Sequence, residues 1–190
     1  IGVLTGGGDC PGLNAVLRAV VKTAVNEYGS EVIGFRDGFR GLVVNDFLSL
    51  KPANVSGILV RGGTILGSSN RDNPFKFKIE KDGQTTYEDL SDQVIKHVTE
   101  HAIEGMIVIG GDGTLAIARE LAAKGMKVIG VPKTIDNDLC ATDTTFGFMT
   151  AVNTATDAID KLHTTAESHH RIMILEVMGR YAGWIALESG

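Results

Sequence analysis

Three times along this chain a run rich in apolar residues ends in a glycine turn, at Gly6, Gly110 and Gly179. Helical spacing follows the first two turns, and a new helix begins near the chain end after the third. Apolar runs bounded by Gly or Pro read as buried parallel strands, because a strand covered on both faces loses its polar alternation. A repeated strand–turn–helix unit therefore points to an α/β fold: a parallel sheet with helices on both faces, Rossmann-like and three-layered. Its crossovers would be right-handed.

The apolar spacing predicts strands over residues 1–5, 31–35, 106–109, 127–131 and 171–177. It predicts helices over residues 13–28, 90–103, 114–124 and 146–163, the first stopped by Gly29. Residues 36–84 show neither period, and part of so long a stretch should be functional loop. The chain begins in a strand without Met and ends within a new helix, so it reads as a piece of a longer polypeptide.

With 190 residues, 43% hydrophobic and 22% charged, the chain can bury a sizeable core. A net charge of −5 and no basic stripe give no reason to expect nucleic acid. No apolar stretch is long enough to span a bilayer. Two cysteines, Cys10 and Cys140, are too few for a disulfide framework and read as reduced thiols of a cytosolic protein. An acidic protein that binds phosphate must do so with local donors: backbone N–H groups, a few arginines and a metal ion.

The turns carry the chemistry. Gly6-Gly7-Gly8-Asp9-Cys10-Pro11-Gly12 suits a phosphate cradle, since glycines let backbone N–H groups approach an oxyanion at a helix start. It also suits a tight strand-to-helix turn with no ligand. Gly110-Gly111-Asp112-Gly113-Thr114 places an acid among such amides. A carboxylate there would repel phosphate unless a cation lies between, which implies Mg²⁺; the alternative is that Asp112 caps the following helix. In Pro132-Lys133-Thr134-Ile135-Asp136-Asn137-Asp138 two acids flank one Asn. That crowding needs a cation, an arginine or a hydroxyl to offset it, and one acid could take the proton of an attacking hydroxyl. The lesser alternative is a turn or cap. Arg171 and Arg180 bracket the last predicted strand and suit either phosphate or a surface salt bridge. His97 and His101, four apart on a predicted helix, could share a metal, although no third ligand is near. His169 and His170 read as loop.

Over essentially its whole length the chain resembles the 6-phosphofructokinase family. The matching segments are Gly2-Val3-Leu4-Thr5-Gly6-Gly7-Gly8-Asp9, Gly62-Gly63-Thr64 with Leu66-Gly67-Ser68, the two acid-bearing turns, and Glu176-Val177-Met178-Gly179-Arg180. The resemblance implies phosphoryl transfer to the 1-hydroxyl of fructose 6-phosphate, with ATP as co-substrate and Mg²⁺ as cofactor. It implies two similar α/β domains in the full protein: a donor-binding domain over residues 1–147 and the start of a sugar-phosphate domain over 148–190. Carried over, Gly8 and Arg71 lie at the donor, Asp112 ligates Mg²⁺, and Gly113 and Thr114 adjoin the donor. Asp136 is the general base, and Thr134, Ile135 and Asp138 contact the sugar phosphate or hold the base. Arg171 reaches the sugar 6-phosphate across a subunit boundary, while Met178, Gly179 and Arg180 grip the sugar and the transferred group. A cytoplasmic homo-oligomer, most often a homotetramer, is implied, with no nucleic-acid or membrane partner.

Two residues bear on the donor. Pyrophosphate users in the family typically carry Asp where this chain has Gly113, and the small residue leaves room for the α-phosphate and ribose of ATP. Lys133 points to pyrophosphate, but a lysine only adds charge, whereas an acid at 113 would block and repel. Gly113 therefore favours ATP. The family's ATP-contacting Arg falls one place later, at Arg71, with Asn70 in register. Arg18 matches the effector cluster of bacterial members, but His163 stands in place of an Arg, which weakens the case for that control. The rival readings are a pyrophosphate-dependent enzyme, a non-catalytic nucleotide-binding homologue, and an NAD or diacylglycerol kinase relative. The last shares the turn at 110–114 but not the segments around Asp136 and Arg180.

Overall fold

The computed structural model describes residues 1–81 and 83–190, which divide into two compact units, Ile1–Pro132 and Lys133–Gly190. The first unit is built on a mostly parallel sheet. At its centre β1 (Gly2–Thr5) pairs in parallel with β2 (Val32–Phe35) on one side and β6 (Met106–Gly110) on the other. β7 (Val128–Thr134) pairs in parallel with β6, and β3 (Phe47–Leu50) lies on the outer side of β2, giving the order β3-β2-β1-β6-β7. Every residue of β1 is buried, as the unbroken apolar run requires.

Strand alternation sorts the side chains onto two faces. One face carries Leu4, Phe35, Met106 and Val108 into a core with Leu42, Val94, Ala118 and Leu121 from three helices. The other carries Val3, Thr5 and Ile109, which are also fully buried, so the central strands are covered on both sides. α1 (Leu13–Tyr28) buries Leu13, Leu17, Val21 and Ala24 at helical spacing. It ends on left-handed Gly29 (φ 62°), where the N–H groups of Gly29 and Ser30 return to the Val25 and Ala24 carbonyls. That closure needs a residue tolerant of positive φ.

The region expected to be irregular holds regular structure. α2 (Phe39–Val44) buries Phe39, Leu42 and Val43 between Gly38 and left-handed Asn45. β3 (Phe47–Leu50) runs antiparallel to β2, so the sheet is mixed rather than wholly parallel. Six helical residues are too few to display a 3.6-residue period, and the whole connection from β2 to β3, residues 36–46 with α2 inside it, falls short of the roughly dozen residues or more that a parallel crossover takes. Farther along, β4 (Phe77–Lys81) and β5 (Gln84–Glu88) form a separate antiparallel pair. Their alternating charges and exposed faces mask the strand signal.

α3 (Ser91–Glu100) and α4 (Asp112–Ala123) fall where helices were expected, α4 beginning two residues early. In the second unit the end of β7 pairs in parallel with the short β8 (Phe146–Gly147), at Lys133↔Phe146 and Thr134↔Gly147. α5 (Phe148–His169) runs six residues past its expected end and closes on left-handed His170 (φ 51°), so His169 is helical rather than loop. A small core of Phe148, Val152, Ala155 and Ile185 joins α5 to α6 (Trp184–Ser189). Residues 171–177, expected to be a strand, pair with no strand among the described residues and leave Ile172 and Ile174 about nine-tenths exposed. Their β-branched character is real, but a strand needs a ladder partner. No described helix is long and apolar enough to cross a membrane, and the two cysteines form no disulfide.

Candidate active site

Because β1 and β6 are parallel neighbours, with Thr5 opposite Ile109, their glycine turns leave the same end of the sheet side by side. The Gly6 N–H donates to the Ile109 carbonyl (2.9 Å). Thr114 fills the space between the two turns and is 7% exposed. A Cβ on Gly6 would come within 2.7 Å of its Cγ2, and one on Gly110 would overlap its Cβ. These glycines are therefore glycines so that Thr114 can fit. The side chain of Thr114, expected at the donor, is thus largely covered and spaces the two turns.

The structure settles the two readings of Asp112 in part. α4 begins at Asp112 itself, with Gly111 in the capping position and no side-chain cap. Asp112 is thus in the first helical turn and is not the cap. Its carboxylate is exposed and joins no hydrogen bond or ion pair among the described residues. A lone carboxylate fits Mg²⁺, which keeps several waters and takes its remaining ligands from phosphate oxygens. No cluster of three or more acidic, His or Cys side chains able to form a metal cage occurs among the described residues. Gly113 follows, and a Cβ there would meet nothing within 4 Å.

At the first of these turns a cleft of about 490 Å³ is lined by Gly7, Gly8, Asp9, Thr64, Ser68, Ser69, Asn70 and Arg71, and not by the turn at 110–114. It brings together Gly8 and Arg71, two of the expected donor residues. Buried side chains hold its wall to the glycine turn. Asn14, 1% exposed, donates from Nδ2 to the Arg61 and Gly62 carbonyls (3.0 and 3.1 Å) and accepts the Ile65 N–H (2.8 Å). The Thr5 hydroxyl donates to the Gly67 carbonyl (2.7 Å) and lies 3.0 Å from Thr64 Oγ1. Ser68 Oγ donates to the Gly7 carbonyl (2.5 Å), and the Gly7 N–H returns to the Ser69 carbonyl (3.0 Å). Asn14 and Thr5 were missed from sequence. The signal was present: a polar residue in the apolar stripe of α1 and another inside a fully buried strand.

The second acid-bearing turn lies in the second unit. Asp136 is half-buried, and burial raises its carboxyl above the ordinary aspartate range. Neighbouring Asp138 pushes it the same way, while Arg180 and Lys133 pull it down. An acid so placed holds a proton more readily than a free one, which suits a general base. The Asp136 N–H donates to Thr134 Oγ1 (3.0 Å), and Ile135 packs on the unit's core. Asp138 is exposed, whereas Lys133 is 5% exposed.

Gly179 is buried with φ 147°, and a Cβ there would lie 2.5 Å from the Ala182 carbonyl oxygen. The turn it makes leaves Met178 exposed and sets Arg180, also exposed, 5.6 Å from the Tyr181 ring centre. Arg171 is exposed beside His163, Glu167 and His170 at the end of α5. Arg18 donates to the Val55 carbonyl (2.9 Å). The two histidines of α3 do not share a metal. His97 Nδ1 lies 2.8 Å from the Leu42 carbonyl oxygen, and His101 Nε2 lies 2.7 Å from Asn45 Oδ1, with its ring edge against Phe47. Each ring ties α3 to a different point at the end of α2.

The chain is 62% identical over 191 residues to ATP-dependent 6-phosphofructokinase 2 of Clostridium perfringens, covering 100% of this chain and 52% of that protein. It is 57% identical over 191 residues to the pyrophosphate–fructose 6-phosphate 1-phosphotransferase of Streptomyces coelicolor, covering 100% and 53%. Among solved structures, the phosphofructokinase of Pichia pastoris in the T-state superposes with a TM-score of 0.87 at 31% identity, covering 100% of this chain and 21% of that one. The chain spans about half the length of the curated relatives it matches. The family model described as phosphofructokinase matches residues 1–190, and the chain belongs to the phosphofructokinase family.

Proposed function

We propose that the protein to which this chain contributes transfers the γ-phosphoryl group of ATP to the 1-hydroxyl of D-fructose 6-phosphate, giving fructose 1,6-bisphosphate and ADP in glycolysis. The observation that carries the reading is the match of residues 1–190 to the phosphofructokinase family, with the half-buried Asp136 carboxyl beside Asp138, Arg180 and Lys133 as its candidate base. In the reaction the 1-hydroxyl oxygen forms a bond to the γ-phosphorus as its proton passes to Asp136. The bond from the γ-phosphorus to the bridging oxygen breaks, and that oxygen leaves on ADP. Thr134, Ile135 and Asp138 hold the acceptor or the base, while Met178, Gly179 and Arg180 grip the sugar and the moving phosphoryl group.

On the donor side, backbone N–H groups around Gly8, the start of α4 and Arg71 hold the polyphosphate. Asp112 would hold Mg²⁺, which neutralises charge on the β- and γ-phosphates when bound. Gly113 leaves the space an α-phosphate and ribose need, and this favours ATP. The donor residues belong to the proposed donor domain over 1–147 and residues 148–190 to the proposed start of the sugar-phosphate domain, whereas the compact units divide earlier, after Pro132. Arg171, exposed and without an ion pair among the described residues, is offered to the sugar phosphate of a neighbouring subunit in a homotetramer or dimer. A cytoplasmic location follows from the metabolites used.

Use of pyrophosphate is the second reading. Lys133, buried and close enough to lower the Asp136 carboxyl, favours it, as do relatives named for that donor at similar identity. A coupled assay of the full-length protein with fructose 6-phosphate, Mg²⁺ and either donor separates the two. Turnover with ATP supports the proposal, and turnover with pyrophosphate alone replaces it with the second reading.

A further inference from the structure

In the crowded turn at 134–138 an uncharged amide, Asn137, stands between the two acids, and the structure gives it a task. Asn137 sits in the left-handed region (φ 50°), where a short amide side chain is among the few tolerated besides glycine. Its Oδ1 accepts the backbone N–H of Thr145 at 2.9 Å, eight residues on. The Thr145 hydroxyl donates to the Thr134 carbonyl at 2.7 Å, eleven residues back. Its second near neighbour, Asn137 Oδ1, lies at 3.3 Å. Thr145 is 1% exposed, and its β-branched side chain has few rotamers open to it. It immediately precedes β8, whose two residues pair with Lys133 and Thr134.

Asp136 therefore lies between two fixed points, Thr134 and Asn137, both tied to the same buried threonine. Its own N–H is tied to Thr134 Oγ1. What remains free is the rotation of its side chain. We infer that Thr145 and Asn137 are positioning residues, which clasp the turn so that the Asp136 carboxylate meets the acceptor hydroxyl in a fixed direction. This rests on the reading of Asp136 as the base. Neither residue has to touch the substrate, and each acts through the backbone that carries Asp136.

The test uses the full-length enzyme and three variants. Thr145→Val keeps the shape but removes the hydroxyl donor, Thr145→Ser restores it, and Asn137→Gly keeps the positive φ but removes the acceptor. Misplacement of a reacting group by about 1 Å costs on the order of 100-fold, so Thr145→Val and Asn137→Gly should lower kcat about 10- to 100-fold with donor affinity unchanged. Thr145→Ser should recover most of kcat. A drop in melting temperature with kcat per folded enzyme intact would make the clasp merely structural and overturn the inference, as would equal kcat in the Val and Ser variants. Asp136→Asn is run alongside. If it keeps full kcat, the base assignment fails and the inference goes with it. If it loses kcat while Thr145→Val does not, only the clasp is lost.

Discussion

Replacing Gly113 by aspartate puts a second carboxylate beside Asp112 without disturbing the fold. A Cβ at 113 meets nothing within 4 Å, and the residue does not occupy the left-handed region. In the first turn of α4 an acid is favourable to the helix dipole by about 0.3–1 kcal/mol, and Asp is no worse than Gly as a helix former. The fold should be unharmed or slightly stabilised. The donor would be affected differently. A carboxylate about 5 Å from an α-phosphate charge repels it by about 3 kcal/mol at an effective dielectric of about 20, which is roughly a 100-fold effect. The added bulk also takes the space that the Gly113 reading assigns to the α-phosphate and ribose. The expected result is a loss of about 100-fold in kcat/KM for ATP, with pyrophosphate use unharmed and the melting temperature at or above that of the parent. The assay is steady-state kinetics of the full-length enzyme with each donor, beside a thermal melt. An unchanged kcat/KM for ATP in a folded variant would refute the steric and electrostatic argument for donor choice.

Gly179→Ala should destabilise the protein by about 1–3 kcal/mol, because its φ of 147° and the Ala182 carbonyl at 2.5 Å leave no room for a methyl group; urea unfolding measures it, and an unshifted midpoint would contradict the strain. Asp136 carries a pH signature of opposite sign to that of an ordinary salt-bridged acid. Its folded pKa is raised, so its ionisation opposes folding at neutral pH, and that cost fades as pH falls through the raised value toward 3.8. Asp136→Asn should therefore melt at or above the parent temperature at pH 7, with the difference shrinking in acid, and a lower melting temperature at pH 7 would show the carboxylate to be stabilising.

The parts of the fold legible in the sequence were those whose side chains alone fix the outcome. β1 and β6 are buried on both faces, so their unbroken apolar runs could mean little else. α1 carried its stripe across sixteen residues and its stop at Gly29. What was hidden depends on partners distant in sequence. α2 is a helix because Phe39 and Leu42 are held in a core with Val94 and Leu121, and nothing within six residues says so. Residues 171–177 have strand-forming side chains but no ladder partner among the described residues. The site behaved likewise. Asp112 and Asp136 stood out because charge beside a buried strand is costly, whereas Asn14 and Thr145 act through hydrogen bonds spanning 47 to 51 and 8 to 11 residues. Lone polar residues near apolar runs were the only trace of them.

The division of labour between the two acid-bearing turns is tested most directly by Asp136→Asn in the full-length enzyme, with kcat and nucleotide affinity measured on the same preparation. A base acting on the acceptor hydroxyl should cost about 100- to 10,000-fold in kcat when neutralised, because it works in the transition state and leaves the donor untouched. Nucleotide affinity measured by calorimetry should stay at the parent value. Comparable losses in kcat and in nucleotide affinity would contradict the account and give Asp136 a donor-binding role.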